Sequence, residues 1–190
     1  MPAAPGETGR SRNGSPTGLP PASRWSLPQL ITEVLADAGL TPDALELEIT
    51  ESLVMEISKP VAEALARLKQ RGLGLVIDDF GTGYSSLSSL KQLPINKLKI
   101  DRSFVRDLEV DENDKAIVKA IIGMGRSLGL TVVAEGVEKR TQAQLLQREG
   151  CHIFHGYYYS RPLPEPAFLD FLTHYAGECA GGWSSPSDVR

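Results

Sequence analysis

Five short apolar runs, separated by helical patterns, constrain the fold of this chain more than any other feature. The runs cover residues 45–50, 74–80, 96–101, 130–136 and 152–160. Between them, apolar residues recur every three to four positions, which is typical of amphipathic helices. Alternation of strands and helices predicts right-handed crossovers and a parallel sheet. The spacing of the runs fits both an α/β barrel and a doubly wound sheet, and periodicity alone does not choose between them.

Several residues indicate where the predicted helices begin and end. Pro60 suits the first turn of a helix over PVAEALARLKQR, because the nitrogen of proline needs no hydrogen-bond partner there. Gly72 and Gly129 stand where two helices should end. Thr141 and Gln144 have the spacing of a capping box at the head of TQAQLLQR.

Length and charge exclude several classes of protein. The chain has 190 residues with 20 Lys+Arg against 24 Asp+Glu, which fits one acidic domain with no basic surface for a nucleic-acid polymer. No apolar run approaches the ~18 residues of a membrane span, so we expect no membrane partner. The two cysteines, Cys151 and Cys179, cannot build a disulfide framework or a four-ligand zinc site. We therefore expect a cytoplasmic location.

Composition also divides the chain into a centre and two ends. Met1 and Leu19 are the only large apolar side chains of residues 1–24, too few to offset the entropy of ordering the segment. We predict a disordered segment over 1–25, a domain over 26–175 and a flexible tail over 176–190.

The ionisable residues are concentrated where the apolar runs end. They are Glu48, Glu51, Asp78, Asp79, Lys99, Asp101, Glu135, Glu138 and His155. The carboxyl ends of parallel strands meet at one edge of the sheet, where ligands bind. Converging carboxylates favour hard cations such as Mg²⁺ or Mn²⁺. Two such ions would suit hydrolysis of a phosphodiester.

Five motifs in order carry a specific resemblance. They are LEITES (47–52), DDFGTGYSSL (78–87), KLKID (97–101), AEGVE (134–138) and HGYYYSRPL (155–163). With them the chain resembles the EAL family of bacterial cyclic di-GMP phosphodiesterases from about Ser26 to Tyr175. The resemblance implies a partial TIM-like (β/α) barrel with about five of eight strands. It also implies a two-metal site and hydrolysis of cyclic di-GMP to linear pGpG.

The resemblance implies a role for each matching residue. Metal ligands would be Glu48, Asp78, Asp79 and Glu135, holding Mg²⁺ or Mn²⁺. Lys99, near the attacking water, and Glu135 would act in catalysis, while Glu51 and Glu138 would stabilise nearby loops. The residues on the ligand side would be Phe80, Gly81, Thr82, Gly83, Tyr84, His155, Arg161 and Pro162. In the family the loop after the paired aspartates also contributes to dimerisation, so a homodimer or a partner domain is expected.

Three departures from the family pattern affect the expected activity. The family begins with a strand whose EAL glutamate ligates metal, and a later strand supplies an asparagine, but neither precedes Ser26. Glu63-Ala64-Leu65 spells EAL inside an amphipathic helix, so it is a coincidence of sequence. The family usually has glutamine where this chain has His155. The chain therefore resembles an N-terminally truncated EAL domain, and we expect weak hydrolysis or none.

Simpler interpretations stay open for several residues. Asp78 and Asp79 also fit a solvated turn, Glu48 a polar strand face, Glu138 a helix cap and His155 a structural histidine. Three functions stay open as well: a metal-dependent phosphodiesterase, a non-catalytic module that binds nucleotide or a protein, and a remnant without a stable function. Two unpaired sheet edges would favour association.

Overall fold

The computed structural model describes residues 27–83 and 87–179. The predicted disordered segment 1–25 and residue Tyr84 lie outside the described residues, as do residues 180–190 of the predicted tail. Residues 176–179, which the sequence analysis placed in the tail, belong to the last helix.

The described residues form one sheet of five parallel strands, as predicted. The strands are β1 (Glu46–Thr50), β2 (Gly74–Phe80), β3 (Lys97–Ile100), β4 (Thr131–Ala134) and β5 (Ile153–Phe154). Their order in the sheet is their order in the chain, β1-β2-β3-β4-β5. A doubly wound sheet reverses its strand order, whereas the wall of a barrel does not. The structure therefore decides between the two architectures that the spacing allowed.

Helices connect the strands. They are α1 (Leu27–Ala38), α2 (Glu51–Val54), α3 (Lys59–Gln70), α4 (Leu87–Gln92), α5 (Arg102–Arg106), α6 (Glu112–Ser127), α7 (Arg140–Glu149) and α8 (Glu165–Cys179). A 3₁₀ turn covers Pro42–Ala44. Among the described residues, none of the helices has the length and the apolar composition of a membrane span.

The core lies where the central strands meet the helices. Leu75 and Ile77 of β2 and Leu98 and Ile100 of β3 are fully buried. Apolar residues of α3 and α6 cover this side of the sheet, among them Leu65, Leu68, Val118 and Ile122. The coincidental EAL triplet lies in α3, with Leu65 in the core. The opposite side of the same strands carries the buried Val76 together with the polar residues Asp78, Lys97 and Lys99.

The helix ends confirm two predictions and correct a third. Gly72 and Gly129 follow α3 and α6 with φ of 104° and 69°, a conformation that glycine adopts without strain. The capping box of Thr141 and Gln144 is wrong. Instead, Gln142 Oε1 accepts hydrogen bonds from the backbone N–H groups of Glu138 and Lys139. The helix begins at Arg140, two residues earlier than the predicted box requires.

The predicted strand over 152–160 is also much shorter than expected. Only Ile153 and Phe154 pair with β4. Gly156 explains the end of the strand, because a Cβ there would lie 2.0 Å from the carbonyl oxygen of Val137. The chain passes so close to the loop after β4 that it leaves the ladder and turns towards Tyr158.

Candidate metal centre

Lys99 is the centre of the polar cluster at the carboxyl ends of the strands. Its Nζ lies 2.9 Å from Glu48 Oε1, 3.1 Å from Asp78 Oδ1 and 2.7 Å from Glu135 Oε1. The three carboxylates come from β1, from β2 and from the loop directly after β4. Four residues far apart in the sequence therefore meet around one ammonium group.

The charge of Lys99 is maintained by these partners. Burial by itself would lower the pKa of Lys99, but hydrogen bonds to Glu135, Glu48 and Asp78 outweigh it and raise the pKa above its ordinary value. An ammonium that keeps its proton can donate hydrogen bonds to a phosphate oxygen or to water at any physiological pH.

A break in strand β2 brings the two aspartates to the same place. Neighbouring residues of a strand normally point to opposite faces. The pairing of β2 with β3 shifts between Ile77 and Phe80, and Asp79 has a φ of 55°, in the left-handed region. Carboxylate oxygens of Asp78, Asp79 and Glu135 consequently lie within 4.8 Å of one another. The backbone distortion thus creates the carboxylate cluster.

The carboxylate cluster formed by Asp78, Asp79 and Glu135 fits a divalent cation. Burial, together with the negative charges of Asp78, Asp101 and Glu135, raises the pKa of Asp79 above its ordinary value. Crowded carboxylates of this kind repel one another, and a cation between them would relieve the repulsion. Oxygen donors at this spacing suit Mg²⁺ or Mn²⁺.

Asp101 is a residue of this neighbourhood to which the sequence analysis gave no role. It follows β3 and caps α5, where its Oδ1 accepts a hydrogen bond of 2.9 Å from Ser103 N. Burial opposes its ionisation, but the bonds from Ser103 lower the pKa of Asp101. Its negative charge also acts on Asp79. Its place at the end of KLKID was the available signal.

Glu51 holds the loop after the paired aspartates. Its side chain is buried, and Oε2 accepts hydrogen bonds of 2.9 Å from the backbone N–H groups of both Gly81 and Gly83. Thr82 closes the turn, since its Oγ1 donates to the carbonyl of Asp79 at 2.8 Å. This geometry supports the predicted loop-stabilising role of Glu51.

The loop passes close to α5. Phe80 is buried, and a Cβ at Gly81 would lie 2.7 Å from the ring of Phe104. With a φ of 104°, Gly81 also has a conformation that other residues rarely adopt. Position 81 therefore requires glycine for two separate reasons.

The remaining predicted residues lie on the β5 side of the cluster. His155 Nδ1 is 3.8 Å from Glu135 Oε1. Glu138 is exposed, and with His155 and Tyr157 it lines a cavity of about 260 Å³ beside Glu135. Arg161 stacks over the ring of Tyr157 at 5.1 Å. Pro162 lies further out, in a second cavity against α8, so it is not part of the carboxylate cluster.

Gln142 is a positioning residue that the sequence analysis missed. It is buried in α7, where Nε2 donates to the carbonyls of Val105 and Arg106. Its Oε1 accepts from the N–H groups of Glu138 and Lys139. One amide thus ties the loop that carries Glu135 to the helix that follows Lys99. The amphipathic pattern of α7 did not indicate this role, because polar residues are uncommon at buried helix positions and a glutamine is expected on the exposed face.

Comparison with known proteins identifies the family. The EAL domain family model matches residues 15–162, so the chain belongs to the EAL family. It is 45% identical over 157 residues to the cyclic di-GMP phosphodiesterase NbdA of Pseudomonas aeruginosa, covering 83% of this chain and 20% of that protein. It is 37% identical to the cyclic di-GMP phosphodiesterase RocR of the same organism, covering 78% of this chain and 38% of that one. The chain spans about a fifth of the first curated relatives it matches.

Solved structures agree with the fold. The PaMucR phosphodiesterase in its c-di-GMP complex matches with a TM-score of 0.70 and 45% identity, over 73% of this chain and 56% of that one. The EAL domain of Mycobacterium smegmatis DcpA matches with a TM-score of 0.71 and 39% identity, over 77% and 66%. A manganese and cyclic di-GMP complex of Klebsiella pneumoniae BlrP1 matches with a TM-score of 0.65 and 39% identity, over 70% and 34%. The five parallel strands therefore belong to the TIM-like barrel of EAL structures.

Proposed function

We propose that this chain is a metal-dependent cyclic di-GMP phosphodiesterase domain whose turnover is slow when it acts alone. The observation that carries the proposal is the cluster in which Lys99 contacts Glu48, Asp78 and Glu135 within 3.1 Å, with Asp79 beside them. Relatives named as cyclic di-GMP phosphodiesterases support the substrate.

The carboxylates of Glu48, Asp78, Asp79 and Glu135 would hold Mg²⁺ or Mn²⁺. When bound, such ions supply an activated water and stabilise the leaving oxygen of a phosphodiester. The Lys99 ammonium would orient the attacking water and offset the charge of the phosphate. Glu51 would keep the loop beside Asp79 in place through its bonds to Gly81 and Gly83.

Slow turnover follows from the openness of the cluster at one side. β1 is an edge of the described sheet, and the side chain of its Glu48 is 49% exposed. A donor open to water holds its position less firmly than a packed one, and misplacement by about 1 Å can cost on the order of 100-fold in rate.

A second candidate, a non-catalytic module that binds a nucleotide or a protein, is supported by the edges of the sheet. Leu27, Leu53 and Val61 are exposed and line an apolar groove of about 380 Å³ beside β1. The groove gives this module a surface for a partner domain or for a second copy of the chain. A cytoplasmic location, expected from the low cysteine content, suits both functions.

Formation of pGpG from cyclic di-GMP with Mg²⁺ or Mn²⁺, measured by chromatography, tests the proposal. We expect slow hydrolysis that requires the cation, is abolished in Asp78→Ala and is strongly reduced in Lys99→Ala. Lys97→Ala is the matched control, since Lys97 lies on the same strand but pairs with Glu46. Binding of cyclic di-GMP without hydrolysis would favour the second candidate. The absence of both would overturn the phosphodiesterase and the nucleotide-binding module, and would leave only the protein-binding form of the second candidate.

A further inference from the structure

We infer that His155 supplies a nitrogen ligand to one cation of the proposed site, next to Glu135, and thereby makes the site prefer a transition-metal ion such as Mn²⁺ over Mg²⁺. This inference rests on the proposed function, because it concerns the cations of the same cluster. It adds a nitrogen donor to the carboxylate oxygens of Asp78, Asp79 and Glu135.

The position of His155 is fixed by its backbone. His155 N donates to the carbonyl of Ala134 at 2.8 Å, and its carbonyl accepts from Val137 N at 3.0 Å. Since Ala134 pairs with Phe154, His155 follows β5 as Glu135 follows β4. The backbone of His155 therefore lies level with the backbone of Glu135, and the two side chains start from neighbouring positions.

The distance between the two side chains suits a shared cation. His155 Nδ1 and Glu135 Oε1 are 3.8 Å apart, which is too far for a hydrogen bond. Bonds from a divalent transition metal to nitrogen or oxygen measure about 2.0–2.2 Å, so two donors to one ion lie at most about 4.4 Å apart. The observed separation is within that limit.

The imidazole also has room to move towards an ion. The side chain of His155 is 61% exposed, and it lines the cavity beside Glu135. The backbone next to His155 has no such freedom, because Gly156 lies against the backbone of Val137. The imidazole ring can therefore rotate about its side-chain bonds while its backbone stays fixed, which suits a metal ligand.

The type of donor determines the preference among cations. Mg²⁺ takes oxygen ligands almost entirely and keeps several waters, whereas imidazole binds transition-metal ions well. A site with carboxylates alone distinguishes these ions weakly. Adding one nitrogen should strengthen binding of Mn²⁺ and leave binding of Mg²⁺ nearly unchanged.

Electron spin-echo measurements on the full chain loaded with Mn²⁺ test the inference, since they detect a nitrogen bound to the ion. We expect a nitrogen signal that is lost in His155→Gln and retained in His152→Gln. His152 is the matched control, because it is exposed, directly precedes β5 and lines a different cavity. The signal should also change in protein that contains isotopically labelled histidine.

Calorimetric titration gives a second readout that does not depend on turnover. We expect His155→Gln to weaken Mn²⁺ binding at least about tenfold, since even an outer partner of a metal ligand is worth 10–100-fold, and to change Mg²⁺ binding less than about twofold. Bound Mn²⁺ without a nitrogen signal, or equal losses for both ions, would overturn the role of His155 and leave the metal site standing. No binding of either ion would overturn the metal site as well.

Discussion

The central strands and the edge strands of this sheet hold their polar side chains in different surroundings. On β3 the side chain of Lys99 is 9% exposed, and those of Asp78 and Glu135 on either side are 21% and 24% exposed. Glu48 on one edge and His155 on the other are 49% and 61% exposed. The difference shows that the centre of the cluster is held by packing, whereas the two outer side chains are open to solvent.

The largest expected effect follows from replacing Lys99, at the centre of the cluster. We expect Lys99→Met to lower the free energy of unfolding by about 2–3 kcal/mol, because three carboxylates lose their common partner; a fully buried pair would cost 3–5 kcal/mol. Added Mn²⁺ should raise the melting temperature of this variant more than that of the wild type. Chemical denaturation and thermal melting measure both.

The control is Lys97→Met on the same strand, which breaks only the ion pair with Glu46. We expect a loss below about 1 kcal/mol there. The pKa of Lys99 is raised, so its contribution to stability is complete below the unfolded pKa of about 10.4 and is lost only as the pH rises through the higher folded value. Equal losses for the two lysines, or a contribution of Lys99 that falls between pH 6 and 9, would contradict this account.

A second prediction concerns the support of the centre. Gln142→Leu removes four hydrogen bonds between α7 and its neighbours, and we expect a loss of about 2 kcal/mol because backbone groups beside a buried position lose their partners. Gln144→Leu, at an exposed position of the same helix, should change stability by less than about 0.5 kcal/mol. If both variants unfold alike, Gln142 does not tie the loop after β4 to α5.

Removal of the Glu51 carboxylate should affect the loop after the aspartates more than the stability of the whole domain. Glu51→Ala leaves the N–H groups of Gly81 and Gly83 to water, so we expect a loss of about 1–2 kcal/mol and faster amide exchange at these two glycines. Glu56→Ala, at an exposed position nearby, is the control. Unchanged exchange at Gly81 and Gly83 would show that Glu51 does not stabilise the loop.

The smallest effect is expected at the β1 edge of the sheet, where we expect association with another molecule to cover the exposed apolar side chains. We predict dimers or larger species in size-exclusion chromatography with light scattering, since the apolar groove beside β1 is exposed. Leu53→Glu should weaken association about tenfold, or 1.4 kcal/mol. Val110→Glu, 81% exposed outside the groove, should leave it unchanged. A monodisperse wild-type monomer would refute the prediction.

Local patterns in the sequence predicted most of the fold. The apolar runs located β1 to β4 closely, because apolar residues are continuous in the buried parts of β2 and β4 and alternate with charged residues in β1 and β3. They failed at β5, where the contact of Gly156 with Val137 ends the strand after two residues. They also misplaced the start of α7. The residue that caps this helix, Gln142, donates hydrogen bonds to carbonyls of α5, which lie far from it in the sequence.

The sequence by itself determined the family, the parallel strands and the chemical types at the strand ends, because these depend on residue order and on hydrophobic period. Only the tertiary structure decided that Lys99 meets three carboxylates, that a left-handed Asp79 turns two neighbouring aspartates into one cluster, and that His155 lies beside Glu135. These are relations between strands distant in sequence. They depend on register and on a local break in a ladder, which no periodicity within one strand records.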